Sequence, residues 1–217
     1  MDWSLPPSIT QTVAGLDAMH LLALAAALGW ASGLRLYAVV FFTGLAGTFG
    51  WITLPAGLQV LQHPGVLAVS GVMVLVEFLA DKVPWLDSAW DAVHTFIRIP
   101  AGAALAAGVF GADAGAWTLI AALMGGGLAA TAHVAKATTR AAANTSPEPF
   151  SNIGLSLLGD AAVPVMLWLA WAHPAVFFVT LVLALLVMSA LIVLMFKFLR
   201  GLWSALRQHF GAAPARA

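Results

Sequence analysis

The sequence predicts an all-α membrane protein, a polytopic helical bundle of about six to seven membrane segments. Three observations predict this fold class. Of the 217 residues, 62% are hydrophobic and only 8% are charged, whereas soluble domains carry roughly 25% charged residues. The mean hydropathy is +0.96. Long apolar runs, separated by Pro, Gly and polar residues, recur along the whole chain. Such a chain could not cover a surface that faces water.

The charge and cysteine counts exclude several functional classes. Nine Lys and Arg balance nine Asp and Glu, so the chain has no basic surface for nucleic acid. The absence of cysteine excludes disulfides, thiolate catalysis, iron–sulfur clusters and cysteine zinc sites. No cofactor is predicted. The residues before Leu21 include Asp2 and Asp17 but no Lys or Arg, so we expect no cleaved signal peptide.

Two segments open the bundle, over about 17–30 and 31–50. The small residues between Gly29 and Gly33 join them, which predicts a bend or a broken helix at that point. A third segment, 64–82, is long enough to cross a bilayer.

Residues 86–99 have one apolar and one polar face. This pattern predicts an interfacial helix rather than a span. The next apolar stretch, 100–112, has thirteen residues, fewer than the ~17–25 that a crossing needs. We expect it to tilt, to thin the bilayer or to stop halfway.

Three further apolar segments follow, over about 115–143, 150–171 and 174–199. The first is rich in Ala and Gly, and the last is the most apolar of the chain. Proline stands at the start of four segments, where its missing N–H costs least. These prolines are Pro64, Pro100, Pro147 and Pro174.

The chain, 1–217, is predicted to be one membrane domain. Its first six segments form two units, 17–99 and 100–172, with three segments each. Two tandem units with an odd number of segments have opposite orientations, so we expect an inverted repeat with broken or half-length helices, as in many small transporters. Residues 173–200 form an extra transmembrane helix, and 201–217 an amphipathic tail.

Basic residues near the C-terminus predict the orientation of the chain. They stand at or after the last apolar segment and are Lys197, Arg200, Arg207 and Arg216. The positive-inside rule therefore places the C-terminus in the cytoplasm, with the tail along the inner leaflet.

A basic stripe is the strongest functional signal. At 100° per residue, four polar residues fall on one side of the helix: His133, Lys136, Arg140 and Asn144. Ionisable groups at membrane depth cost roughly 2.5–3.5 kcal/mol on insertion scales, so they are paired or face water. Donors with two fixed positive charges predict a site for phosphate or carboxylate. The alternative is that the segment ends near residue 132 and that the stripe is solvated.

Two neighbouring stretches extend this site. Ser146 as N-cap, followed by Pro and by Glu148 in the first turn, predicts a helix start, which is itself an anion site. Asn152, in the same stretch, would add a hydrogen-bond donor to the site. Arg35 and Tyr37 follow the glycine bend, where an opened helix would line a site. The alternatives are an ordinary capped helix and an arginine that reaches the membrane surface.

Three carboxylates lie within apolar segments: Glu77, Asp81 and Asp160. They either neutralise the basic stripe by pairing or carry coupled protons or ions. Asp81 and Asp160 follow similar tripeptides and precede a proline, so they would be counterparts in the two units. In a chain so rich in Leu and Ala, such matches also arise by chance.

A second polar stripe lies on residues 86–99. Asp87, Asp91 and His94 are spaced at i, i+4 and i+7, and Arg98 follows at i+11. Two carboxylates and a histidine could ligate a divalent ion, as in a metal-dependent enzyme acting on a lipid headgroup. The alternative is a solvated face. The chain has neither a His-Glu-x-x-His zinc pattern nor a Gly-x-Ser-x-Gly elbow.

Three of these stretches together resemble a known family. They are Gly29-Trp-Ala-Ser-Gly-Leu-Arg35, Glu77-Phe-Leu-Ala-Asp-Lys-Val-Pro84 and the run from Lys136 to Asn152. The combination is similar to the bacterial integral-membrane family catalogued as domain of unknown function 4126, over about residues 20–172. The family has no established activity. The resemblance implies that these polar stretches are its recognisable ones and that the chain lies in a bacterial inner membrane.

We therefore expect a small secondary transporter or lipid-carrier translocase for an anionic substrate. Arg35, Lys136 and Arg140 would hold the anion, and buried carboxylates would couple its movement. The alternatives are the metal-dependent enzyme and a non-catalytic membrane assembly protein, which predicts no cavity at the basic stripe. The lipid bilayer is the other expected partner, and the small residues 125–127 allow close helix contact within the chain or in a homo-oligomer.

Overall fold

The computed structural model describes residues 16–145 and 150–211. Within these ranges the chain forms six α-helices, two short 3₁₀ helices and no strand. The α-helices are α1 (Ala18–Thr48), α2 (Pro64–Ala80), α3 (Pro84–Phe110), α4 (Ala116–Ala143), α5 (Phe150–Ala172) and α6 (Pro174–Gly211). The predicted all-α fold class is confirmed.

Among the described residues, five helical segments are long and apolar enough to cross a membrane. They are Ala18–Thr48, Leu86–Phe110, Ala116–Ala143, Ile153–Ala172 and Pro174–Gln208. The 3₁₀ helix Ala56–Gln62 and α2 meet at a bend of 69°, and together they would make a sixth span. The chain is an integral membrane protein.

Helix α1 is the centre of the bundle, and the other five helices all contact it. In its most apolar stretch 78% of the residues are buried, against 11% for α6, which lies at the periphery. Small residues permit this packing. A Cβ added to Gly29 would overlap the backbone of Gly125 in α4, and one added to Gly33 would overlap the Ala129 carbonyl.

The break in α1 lies at Arg35, whose φ of −145° and ψ of 74° are not helical. The two segments predicted on either side of the glycines are therefore one kinked helix. The predicted position of the break is wrong because Gly29 and Gly33 remain helical and provide the close contact with α4.

Helix α3 runs through Pro100 without interruption, so 86–99 and 100–112 are not separate segments. The predicted interfacial helix is wrong: the polar face points into the bundle, and the apolar face, with Phe96 82% exposed, points outward. Transmembrane helices tolerate an internal proline because neighbouring groups satisfy the freed backbone. The boundary expected between the two units falls inside this helix, and the inverted repeat stays a prediction.

The remaining helices follow the predicted segments. Helix α4 continues to Ala143, so the alternative that it ends near residue 132 is wrong. Helix α6 extends to Gly211 and joins the predicted extra helix to the start of the tail. Residues 212–217 of that tail lie outside the described residues.

Candidate functional site

The charged side chains at membrane depth form one connected network of ion pairs on helices α1 to α5. Five carboxylates take part: Glu77, Asp81, Asp87, Asp91 and Asp160. Four cations pair with them: Arg35, Arg98, Lys136 and Arg140. Buried charges are stable only when they are paired and hydrogen-bonded, so mutual pairing explains how these residues can lie inside the bundle.

Asp81 is the centre of this network. It directly follows α2, and its side chain is fully buried. The carboxylate contacts Arg35, the Nζ of Lys136 at 3.3 Å and the Nη2 of Arg140 at 3.2 Å. Its backbone carbonyl also accepts a hydrogen bond from Arg140 at 2.7 Å. The three cations predicted to bind an anion thus converge on a carboxylate of the protein itself.

The polar stripes of α3 and α4 face each other as an antiparallel ladder. Arg140 and Asn144 donate to Asp87 at 2.8 and 3.1 Å. One turn further along α3, Asp91 lies 3.2 Å from the Nζ of Lys136. The last rung joins the Nη1 of Arg98 to the Nδ1 of His133 at 3.2 Å. The two stripes match because both repeat at helical spacing.

Arg98 is the charged residue of the network that sequence reasoning left out of the candidate site. It is fully buried and donates to Glu77 at 2.5 Å and to Asp91 at 2.8 Å. Its place at i+11 on the α3 stripe was the available signal, because such a stripe inside a membrane bundle faces inward.

The hydrogen bonds assign a neutral tautomer to His133. Arg98 donates to its Nδ1, so its Nε2 carries the proton and donates to the hydroxyl of Thr95 at 2.7 Å. That hydroxyl donates in turn to the backbone carbonyl of Asp91 at 2.9 Å. His133 was expected to bind an anion, but in this arrangement its N–H donates to Thr95.

Tyr37 and His94 form a separate polar pair. The Nδ1 of His94 donates to the carbonyl of Trp90 at 2.8 Å, so its Nε2 accepts from the hydroxyl of Tyr37 at 3.1 Å. Tyr37 lines a cavity of about 850 Å³ between α1, α2, α3 and the first 3₁₀ helix. Arg35 lines a second cavity, between α1, α4, α5 and α6, and Tyr37 is not part of its lining.

The predicted metal ligands have other partners. Asp87 and Asp91 pair with cations, and His94 bonds with Tyr37 and Trp90. Within 16–145 and 150–211, no group of three or more His, Asp or Glu side chains is arranged to hold a metal ion.

Asp160 is the most accessible carboxylate of the network. Its side chain is 29% exposed, whereas the other four are at most 5% exposed. It pairs with the Nη2 of Arg35 at 2.8 Å, and the same guanidinium donates to the hydroxyl of Ser156 at 2.8 Å. Its Oδ2 has no hydrogen-bond partner among the described residues.

A cavity of about 360 Å³ lies beside the network, between α1, α4, α5 and α6. Its charged lining consists of Arg35, Lys136 and Arg140, and most of the remaining wall is apolar. Trp30 and Thr139 also line it, and within the described residues the Trp30 Nε1 and the Thr139 Oγ1 are buried without a hydrogen-bond partner. Buried polar atoms are normally satisfied, so these two unpaired donors beside the cavity are unusual.

Part of the predicted site cannot be compared with the structure. Ser146 and Glu148 lie outside the described residues, and so does the side chain of Asn152, although its backbone belongs to α5. Asn144 contacts Asp87 and, at 3.0 Å, the hydroxyl of Ser88.

A family model described as Domain of unknown function (DUF4126) matches residues 22–194. The match includes the whole ion-pair network and continues into α6, past the limit of residue 172 that the resemblance predicted. Neither a curated protein nor a solved structure matches the chain. Because the matched region is most of the sequence, the protein belongs to the family of integral membrane proteins defined by domain of unknown function 4126.

Proposed function

We propose that the protein is a secondary transporter for an anionic substrate, bound in the cavity beside the ion-pair network and coupled to a proton. One observation carries the proposal. The three cations that the sequence indicates as an anion site, Arg35, Lys136 and Arg140, line a cavity large enough for a small ligand. An assembly protein whose buried charges only hold helices together has no need for this space.

Substrate binding has to exchange one ion pair for another, because each of these cations already has carboxylate partners. Asp160 is suited to be the exchanged group. It has one cation in contact, it is the most exposed of the carboxylates, and it follows Gly159 of the cavity wall. Protonation of Asp160 would leave Arg35 with Asp81 and with capacity for the anion, whereas Asp81 holds the three cations in position.

The charge count supports proton coupling. Five carboxylates contact four cations, so the inner network has one negative charge in excess when both histidines are neutral. One bound proton balances it, and an uncompensated charge is costly at membrane depth. Lys82, in the turn after α2, is near enough to interact electrostatically with Asp160, but it is in no ion pair with it: its Nζ lies 3.0 Å from the ring centre of Phe78. Desolvation, the largest influence, lowers the pKa of this amine, which weakens it as the balancing charge.

The metal-dependent enzyme has less support, because its proposed ligands are engaged in ion pairs and hydrogen bonds.

For location, we propose a bacterial inner membrane with the C-terminus in the cytoplasm, supported by the basic residues Lys197, Arg200 and Arg207 near that end. We also propose that the two halves of the chain form an inverted repeat and that the protein forms a homo-oligomer.

Binding to the purified protein in phosphatidylcholine nanodiscs tests the function. The probes are inorganic phosphate, acetate, dodecyl phosphate and dodecanoate, which differ in headgroup and in chain. We expect at least one to bind saturably, and Lys136→Gln to weaken it at least tenfold. Lys197→Gln removes the same charge from an exposed position on α6 and should leave the affinity unchanged.

The pH dependence tests the coupling. Wild-type affinity should rise on acidification, because a proton on Asp160 frees Arg35 for the anion. Asp160→Asn imitates the protonated form and should bind equally well across the same pH range. The proposal is overturned if no probe binds to the folded protein, or if Lys136→Gln and Lys197→Gln bind alike.

A further inference from the structure

We infer that the substrate is a single-chain anionic amphiphile of the bilayer, which enters the cavity sideways between α5 and α6. This inference rests on the proposed function, because it specifies the substrate of the same site. The headgroup, a phosphate or carboxylate, lies against the charged wall, and the chain lies along the apolar wall toward the membrane.

The mouth of the cavity lies at the depth of the hydrocarbon. Leu158 and Val165 of α5 and Val187 of α6 line the cavity and are also 67%, 52% and 59% exposed, so they mark its opening. They lie within the candidate spans Ile153–Ala172 and Pro174–Gln208, at least five residues from either end. A hydrated ion would have to cross apolar lipid to reach such a mouth, whereas an amphiphile already resides there.

The lining of the cavity has a charged end and an apolar end, as an amphiphile has a headgroup and a chain. Away from the charges, its wall on α5 and α6 is mostly apolar and includes Leu155, Ala162, Met166, Ala184, Met188 and Leu191. Thr180 of α6 also lines it, but its hydroxyl donates to the Val176 carbonyl within the helix at 2.8 Å. The apolar side chains offer no hydrogen bond to a small hydrated ion but fit an alkyl chain. The flexible methionines adapt to chains of different shape.

The polar end of the cavity fits an oxyanion rather than a cationic headgroup. Arg35, Lys136 and Arg140 provide positive charge. Trp30 and Thr139 add an N–H and a hydroxyl that have no acceptor among the described residues. Donors and positive charge at one end are complementary to the oxygens of a phosphate or a carboxylate.

Equilibrium binding of radiolabelled dodecyl phosphate to the protein in phosphatidylcholine nanodiscs tests the inference, with empty nanodiscs as the baseline. We expect saturable binding that is at least 100-fold tighter than that of inorganic phosphate. Dodecyltrimethylammonium, which has the same chain and the opposite charge, should not compete.

Two neighbouring alanines of α5 provide a matched pair of variants. Ala162→Trp fills the cavity and should weaken dodecyl phosphate binding at least tenfold, whereas Ala161→Trp adds the same side chain at an exposed position outside it. Thr139→Val removes an unpartnered hydroxyl and should weaken binding about threefold without loss of thermal stability. Thr138→Val is its control, because the Thr138 hydroxyl bonds to Val134 within the helix.

The outcomes separate this inference from the proposed function. If inorganic phosphate and dodecyl phosphate bind alike and Lys136→Gln weakens both, the transporter for an anion stands and the amphiphile is wrong. If dodecyl phosphate binds but Ala162→Trp and Ala161→Trp do not differ, the lateral cavity is not its site. If none of the phosphate and carboxylate probes binds to folded protein, both proposals fail.

Discussion

Replacing Asp81 by Asn is the sharpest test of the ion-pair network. The substitution keeps the shape of the side chain but removes the charge that three cations share in a fully buried position. Removing one partner of a buried ion pair costs about 3–5 kcal/mol, because the opposite charge is left uncompensated. Each cation keeps one other carboxylate, which moderates the loss. Those carboxylates are Asp160, Asp91 and Asp87.

We therefore expect Asp81→Asn to lower the free energy of unfolding by about 3 kcal/mol, the lower end of that range. In a chain of this length, 1 kcal/mol corresponds to roughly 2–4 °C in Tm, so the Tm should fall by about 6–12 °C. The measurement is thermal unfolding of purified protein in a neutral detergent, followed by tryptophan fluorescence.

Asp160→Asn is the matched comparison, since it removes an equal charge from a carboxylate that is partly exposed and has one cation in contact. Arg35 keeps Asp81 as a partner and Asp160 is only partly buried, so we expect a loss close to the roughly 0–1 kcal/mol of exposed ion pairs and a fall in Tm of less than about 4 °C. Equal losses for the two variants would refute the view that Asp81 holds the network together.

Two further predictions concern the helices that carry the network. Gly125→Leu should lower the Tm, because a side chain there overlaps Ala106 and the backbone of α3. Such overpacking costs about 1–3 kcal/mol. Gly127→Leu is the control: its side chain would meet open space, so its Tm should match that of wild type in the same unfolding assay. At the start of α1, the backbone N–H of His20 donates to Asp17 and holds the pKa of its carboxyl below the usual range. A lowered pKa stabilises the fold above the unfolded value of about 3.9 and loses that effect as the pH falls through the folded value. Asp17→Ala should therefore lower the Tm at pH 7 and converge with wild type in acid; a difference that persists or grows there would contradict this account.

The membrane class and most helix positions could be predicted because they depend on local properties. The length of an apolar run, a proline at its start and the spacing of polar residues are all visible in the chain itself. Helices α4 and α5 begin and end within a few residues of the predicted segments for this reason. The basic stripe of α4 could likewise be found, because helical periodicity places its members on one face.

The polar face of α3 shows where this reasoning stopped. Periodicity identifies two faces but does not say which one meets the surroundings. In water the polar face is outside, and in lipid it is inside, so Asp91 and Arg98 are buried while Phe96 is exposed. The break in α1 was also misplaced, since the use of Gly29 and Gly33 depends on the approach of α4, more than 90 residues away in the chain.

The sequence by itself determined that this is a helical membrane protein with nearly balanced charges at membrane depth, because burial in lipid requires such balance. Only the tertiary structure decided the partners. Arg35, Lys136 and Arg140 meet at Asp81 because α1, α2 and α4 converge there, and α5 and α6 leave a cavity beside the same cations. Electrostatic pairing acts over a few ångströms, and distances between residues far apart in the chain are defined only by the packing of the helices.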